Sequence, residues 1–392
     1  MSVTSGAVPI SRPILAGIVS GLVGFSSAFV IVLAGLMAVG ADRDQASSGL
    51  LAVSVVMGAC TILLALWTRM PITVAWSTPG AALLAATGLI AGEWSAAVGA
   101  FLVTGVLIVL TGLIPQLGRL IARIPRSVAQ AMLAGVLLPL CLGPVVGVVA
   151  DPLAVAPIVL VWLLAARFLP KWAVPLAFLT AAIVIGVHLA ISGASIDAGS
   201  LAPVVTFTAP TFSIAGIVGI ALPLYLVTMA SQNVAGVAVM HGLGYEVPWR
   251  RSMIVTGVGT LVAAPAGGHA VNLAAISAAL AAGPEAGEDR GRRWIAGVTN
   301  GIVVIVLGIG SSLFTTLIDL APESVVPAVA GLALLATLAS AIQQALEDPN
   351  ERIPAIAAFV TAASGMAIWG VSAAFWSLVA GLVVRFTLTF RK

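Results

Sequence analysis

Long apolar stretches, cut by short clusters of charge, proline and glycine, run the length of this 392-residue chain. They fall near residues 12–40, 47–68, 72–89, 94–115, 125–149, 152–168, 172–192, 212–241, 249–265, 267–283, 293–317, 324–345, 353–369 and 372–390. A bilayer-spanning helix needs about 20 apolar residues, so the pattern predicts an all-α polytopic membrane protein with about 14 transmembrane segments. The third and tenth runs are interrupted. One opens with Pro71-Ile-Thr-Val-Ala-Trp-Ser-Thr-Pro-Gly80, the other with Ala264-Pro-Ala-Gly-Gly-His-Ala-Val-Asn272, and each continues as a short Ala-rich helix closed by Gly88 or Gly283. Backbone that is not helical at membrane depth must be buried in protein or line a cavity. Matching interruptions in two halves of a chain point to the substrate site of a transporter.

Composition agrees: 60% of residues are hydrophobic and 8% charged, against roughly 25% charged in soluble domains. Met1 to Pro13 has no small-residue cleavage site after a short apolar core, so no removable signal peptide is expected. Cys60 and Cys141 stand alone in apolar runs, which indicates neither a disulfide nor a metal site. The net charge of +3 comes from basic residues in short loops and does not suggest a nucleic-acid partner. With a cytoplasmic N-terminus, one face collects Arg12, Arg69, Arg119, Arg123, Arg126, Arg167, Lys171, Arg250, Arg251, Arg290, Arg292, Arg293, Arg352, Arg385, Arg391 and Lys392. The other face carries Asp42, Asp44, Glu93, Asp151, Asp197, Asp319 and Glu323, with Arg43 its one basic residue. That asymmetry obeys the positive-inside rule, supports an even count and places both termini in the cytoplasm.

A weak internal repeat pairs Ser27 with Ser231, Gly40 with Gly244, Asp42 with Glu246 and Ser48 with Ser252. Seven segments per half is an odd number, so the two halves must be inverted in the membrane.

All fourteen acidic residues fall in loops or at span ends, and no lysine or arginine lies mid-span. An anion must therefore be held by something other than a buried cation. A half-helix beginning at mid-membrane offers unpaired N–H groups and the positive end of its dipole. The first is expected to start at Ser77, Thr78 and Pro79, a capping residue followed by a proline in the first turn. The stretch Pro71 to Trp76 before it should be extended. The second is expected to start near Gly268 to Asn272. His269 is the only histidine in a broken segment, and an ordinary pKa of about 6.5 makes it the candidate for proton coupling. Ser231, Gln232 and Asn233 form a polar patch in an apolar helix, with Ser26 and Ser27 as repeat counterparts. Phe25 and Trp76 could stack on an aromatic ring. Trp67, Trp94, Trp172 and Trp249 fit interfacial belts. No HExxH pattern and no cofactor motif occurs, and paired intramembrane aspartates are absent, so no enzyme is expected. The candidate substrate site is thus Phe25, Ser26, Ser27, Trp76, Ser77, Thr78, Pro79, Ser231, Gln232, Asn233, Gly268, His269 and Asn272.

The opening Pro13-Ile-Leu-Ala-Gly-Ile-Val-Ser-Gly-Leu-Val-Gly-Phe25, the Trp76-Ser-Thr-Pro-Gly80 break and the Gly267-Gly-His-Ala-Val-Asn272 break resemble the bacterial benzoate/proton symporter family (BenE-type). The resemblance covers nearly the whole chain. It implies an architecture similar to nucleobase and sulfate-type anion transporters, with two inverted seven-span repeats and short strands with half-helices at spans 3 and 10. It further implies a core domain at 12–118 and 211–318, and a gate domain at 119–200 and 322–390 through which the protein could dimerise. The function implied is import of benzoate or a related aromatic carboxylate with protons, by alternating access, across the bacterial inner membrane. The uracil transporter of that fold has acidic residues where this chain has Ser231 or Gln232 and His269, which favours an anion over a nucleobase. Another small anion or a nucleobase is the alternative substrate; a channel or intramembrane enzyme is the remote one.

Overall fold

The computed structural model describes residues 10–89, 93–122, 125–193, 198–368 and 371–389. Of the sequence readings, residues 1–9 of the N-terminal stretch read for a signal peptide and the charges Arg123, Asp197, Arg391 and Lys392 lie outside them.

The chain begins with α1 (Ser11–Ser26) and α2 (Phe29–Ala38), then α3 (Arg43–Thr68), strand β1 (Val74–Trp76), α4 (Thr78–Thr87) and α5 (Glu93–Leu113). A short α6 (Pro115–Ala122) leads to α7 (Arg126–Cys141), α8 (Gly143–Ala150), α9 (Pro152–Phe168) and α10 (Ala173–Ser192). Next come α11 (Ile214–Gly216), α12 (Leu222–Val227) and α13 (Val234–Gly242), joined into one rod by π-helical turns at Ile217–Ala221 and Thr228–Asn233. The remainder is α14 (Trp249–Ala263), β2 (Val271–Leu273), α15 (Ile276–Ala282), α16 (Trp294–Ile309), α17 (Ser311–Asp319), α18 (Val325–Ala345), α19 (Arg352–Ala363) and α20 (Ala373–Thr389). Among the described residues, eight helical stretches are long and apolar enough to cross a membrane.

Local chemistry explains the element ends. Asp42 caps α3 in a reciprocal box: its carboxylate accepts from the Gln45 N–H at 2.8 Å, and the Gln45 side chain accepts from the Asp42 N–H at 2.9 Å. The first apolar run does not form one helix but breaks between α1 and α2. There the Ser26 hydroxyl donates to the Leu22 carbonyl at 2.7 Å and the Ser27 hydroxyl to the Gly24 carbonyl at 3.0 Å. Such back-bonding competes with the helical ladder.

Packing joins α3 and α1 to α16, α14 to α5, and α2 to α4; elsewhere α7 lies on α18 and α19, α19 on α20, and α9 on α10. The α3–α16 contact is close because two glycines face each other. A Cβ on Gly58 would lie 2.6 Å from the Gly301 carbonyl oxygen, and one on Gly301 would lie 2.6 Å from that of Gly58. Small residues let membrane helices approach in this way.

The two interrupted runs meet as a two-stranded antiparallel sheet, pairing Val74 with Leu273, Ala75 with Asn272 and Trp76 with Val271. The ladder is extended by the Ser77 N–H on Ala270 O at 2.9 Å and the Ala274 N–H on Thr73 O at 3.0 Å. Neighbouring helices supply partners for the outer edges. Thr61 of α3 accepts from the Val74 N–H at 2.9 Å, and Thr260 of α14 accepts from the Val271 N–H at 3.0 Å. Buried strand edges thus find partners without water.

This pairing corrects one expectation. Residues 268–272 are not the first turn of a helix; β2 occupies 271–273, and α15 begins only at Ile276. At its far end, the buried Arg293 guanidinium donates to the Ala282 carbonyl at 2.6 Å, a cation at a helix C-terminus. Trp94 is a second correction. It is buried, with its indole N–H on the Thr208 hydroxyl at 2.9 Å, and does not belong to an interfacial belt.

Candidate functional site

Where β1, α4 and the start of α15 meet α1, the protein forms a half-open cavity of about 520 Å³. Small-molecule sites generally measure roughly 300–1,000 Å³, with mostly apolar walls and a few placed polar groups. Of the residues singled out by sequence, Phe25, Ser27, Trp76, Thr78, Pro79 and Gln232 line it. Trp76 stands edge-on to Phe25 with ring centroids 5.1 Å apart. Phe25 in turn packs on Phe29 and Phe314, so the aromatic wall is backed by further rings and held in place.

The polar end of the cavity is the start of α4. Ser77 has extended backbone (φ −77°, ψ 91°), and its hydroxyl oxygen accepts from the Gly80 N–H at 3.1 Å. Its carbonyl accepts from the Ala81 N–H at 2.7 Å. Pro79 has no N–H, so at this helix end Thr78 is the lining residue that carries an N–H and a hydroxyl able to donate. Ser77 itself is fully buried behind them. The second half-helix does not mirror the first: α15 has only seven residues and no side-chain cap.

Ser77, Asn233, His269 and Asn272 are fully buried, and neither they nor Ser26, Ser231 and Gly268 reach the cavity wall. Several of them hold that wall from behind. The Thr228 hydroxyl donates to the Ser77 hydroxyl at 2.8 Å, and the Asn233 side-chain amide oxygen Oδ1 accepts from the Leu273 N–H at 2.9 Å. Both anchors come from the π turn Thr228–Asn233, which widens the helix so that Gln232 faces the cavity between them. Such π turns occur often at functional sites. His269 Nε2 lies 3.2 Å from the Ser77 carbonyl oxygen. A carbonyl only accepts, so Nε2 carries the proton in the neutral ring. His269 Nδ1, the Asn272 side-chain amide oxygen Oδ1 and the Ser231 hydroxyl are buried without a partner among the described residues.

Sequence reading missed five polar lining residues, Ser20, Ser277, Asn300, Thr337 and Lys171. Ser20 of α1 accepts from the Asn300 amide at 3.0 Å and donates to the Ser277 carbonyl at 3.0 Å, which ties α1, α15 and α16 together at the cavity wall. Ser20, Ser277, Asn300 and Thr337 are small polar residues scattered in largely apolar helices, a pattern that does not separate a cavity wall from ordinary packing. The fifth is Lys171, assigned to a loop by its position and found at the cavity as its one charged lining residue among those described.

Residues 8–387 match the family model described as benzoate membrane transport protein. Inner membrane protein YdcO of Escherichia coli is 39% identical over 371 residues, covering 94% of this chain and 93% of that protein. The Benzoate membrane transport protein of Acinetobacter baylyi is 31% identical over 375 residues, covering 95% and 94%. Among solved structures, the transmembrane domain of the cyanobacterial bicarbonate transporter BicA superposes with a TM-score of 0.58 at 15% identity, covering 96% of each chain. That likeness is one of fold.

Proposed function

This chain belongs to the benzoate membrane transport protein family, and on that premise we propose that it is a secondary transporter importing benzoate or a close aromatic carboxylate with protons, by alternating access. The observation that carries the reading is the pairing, in one cavity, of a capped helix end and an aromatic wall without any carboxylate among its described lining residues. A carboxylate at the Thr78 N–H and hydroxyl meets donors and the positive end of the α4 dipole. The ring lies against Phe25 and Trp76. A nucleobase would lack an acidic acceptor for its ring N–H here, whereas an anion needs none.

The proposed architecture is fourteen spans in two inverted repeats, with both termini cytoplasmic. In support, Gly40 and Gly244, paired by the repeat, both take left-handed backbone at φ +104° and +77°. The core domain (12–118 and 211–318) carries the site and moves against the gate domain (119–200 and 322–390), through which two copies could associate. The contact groups α1–α5 with α14–α16 and α7–α10 with α18–α20 favour this division.

Proton coupling is assigned to His269. Its Nε2–H bonds the carbonyl of the residue that caps α4, so an imidazolium there sits directly behind the anion site. Bound carboxylate and imidazolium attract each other, and each therefore raises the occupancy of the other. In liposomes with an inward proton gradient, the purified protein should accumulate labelled benzoate, and a protonophore should abolish accumulation. Absence of uptake beside active control liposomes would remove the proposal; uptake indifferent to the protonophore would remove the proton. His269→Ala is expected to lose accumulation entirely while still exchanging benzoate for benzoate at equilibrium. Full coupled transport by that variant would free His269 of the role.

A further inference from the structure

At the mouth of the cavity, Lys171 occupies the short turn Pro170–Trp172 that opens into α10. Its ammonium group pairs with the carboxylate of Glu285, on the turn Pro284–Ala286 just after α15. The two turns are 114 residues apart in sequence and approach only through the fold. Both side chains are about half exposed, at 48% and 60%. Lys171 lines the cavity and Glu285 does not.

We infer that Lys171 is a second, transient binding site for the transported carboxylate, and that Glu285 holds its place when substrate is absent. The inference rests on the proposed function, because it takes the ligand of this cavity to be a carboxylate. Chemistry supports the exchange: Glu285 presents to Lys171 the same functional group that an aromatic carboxylate would. An exposed ion pair is weak, since water and salt screen it, so an incoming anion replaces one carboxylate by another at little cost. The flexible four-carbon stem of lysine lets the ammonium swing between partners. From there the anion passes to the N-terminus of α4, and its ring leaves water for the wall of Phe25 and Trp76. A charge at the rim of a site chiefly sets encounter rate and salt dependence. Lys171 belongs to the proposed gate domain and Glu285 to the proposed core, so the pair also separates when the two move apart.

The test is benzoate binding to the detergent-purified full chain by titration calorimetry at two salt concentrations. Lys171→Gln should weaken binding about fivefold at low salt and flatten its salt dependence. Glu285→Gln, which frees Lys171, should strengthen binding. The double exchange K171E/E285K separates attraction from tethering. It preserves an ion pair but puts a negative charge on the cavity wall, so binding should stay at least as weak as in Lys171→Gln. Return of the double variant to wild-type affinity would make the pair a tether and overturn the inference, as would wild-type affinity in Lys171→Gln. Absence of benzoate binding by the wild type overturns the proposed function and this inference together, whereas binding that Lys171→Gln leaves untouched overturns this inference alone.

Discussion

Trp76→Ala is expected to raise the KM for benzoate uptake by about 10- to 100-fold, with Trp76→Phe far milder. The indole is 2% exposed, faces the cavity and stands edge-on to Phe25. Aromatic pairs of this geometry contribute about 0.5–1.5 kcal/mol beyond their area, and truncation of a buried Trp costs about 3–5 kcal/mol. Part of that loss falls on folding, because the buried ring packs on Phe25; the backbone N–H of Trp76, bound to the sulfur of Met57 at 3.1 Å, and the strand pairing with β2 do not depend on the side chain. The backbone bonds survive in alanine; the side-chain packing does not. Melting temperature with and without benzoate separates the two effects, since a ligand of the folded state raises it. A stable variant whose KM matches wild type would remove Trp76 from the ring site.

Gly58→Leu is expected to leave little folded protein. A Cβ at this position meets the Gly301 carbonyl oxygen at 2.6 Å, and a backbone atom cannot rotate aside as a side chain can. Overpacking a tight core costs about 1–3 kcal/mol, occasionally more. Here the whole α3–α16 contact must open, and both helices border the site: α3 holds β1 through Thr61, and α16 carries Asn300. Gly186 in α10 is the control, since a Cβ there meets nothing within 4 Å. Gly186→Ala should be neutral or raise stability by up to about 1 kcal/mol, the helix-propensity gain. Monodisperse yield and melting temperature would show the contrast, and equal behaviour of the two variants would refute the close-contact account.

How far the site could be read from the chain depended on how local its causes were. The break at Pro71–Gly80 was legible in detail because its chemistry is contiguous. β-branched residues favour the strand, Ser77 caps, and Pro79 fits the first helical turn. The break at 264–272 was legible in place but not in register. Its strand is defined by pairing with β1, two hundred residues away, and that pairing delays the helix to Ile276. The bend at Ser26–Ser27 was hidden for another reason. No proline marks it, Gly24 is one of three glycines in α1 and does not single it out, and serine hydroxyls choose between the backbone and other partners only once packing is set.

The polar motifs divide in the same way. Sequence located Ser231, Gln232 and Asn233 as exceptional, yet could not rank them. The π turn sends Gln232 to the cavity and Asn233 to the end of β2. His269 proved to lie one layer behind the cavity, linked through the Ser77 carbonyl.

What the sequence determined by itself was the membrane character of the chain, the two runs interrupted at 71–80 and 264–272, and the absence of a mid-span charge to hold an anion. Each follows from local composition: apolar length, helix-breaking residues and the positions of Asp, Glu, Lys and Arg. The tertiary structure alone decided which polar groups face the cavity, why Ser20, Asn300 and Lys171 join it, and which of the two half-helices offers a capped end. Those facts depend on which sides of distant helices meet, and a single apolar helix carrying one serine or asparagine holds no record of its neighbour.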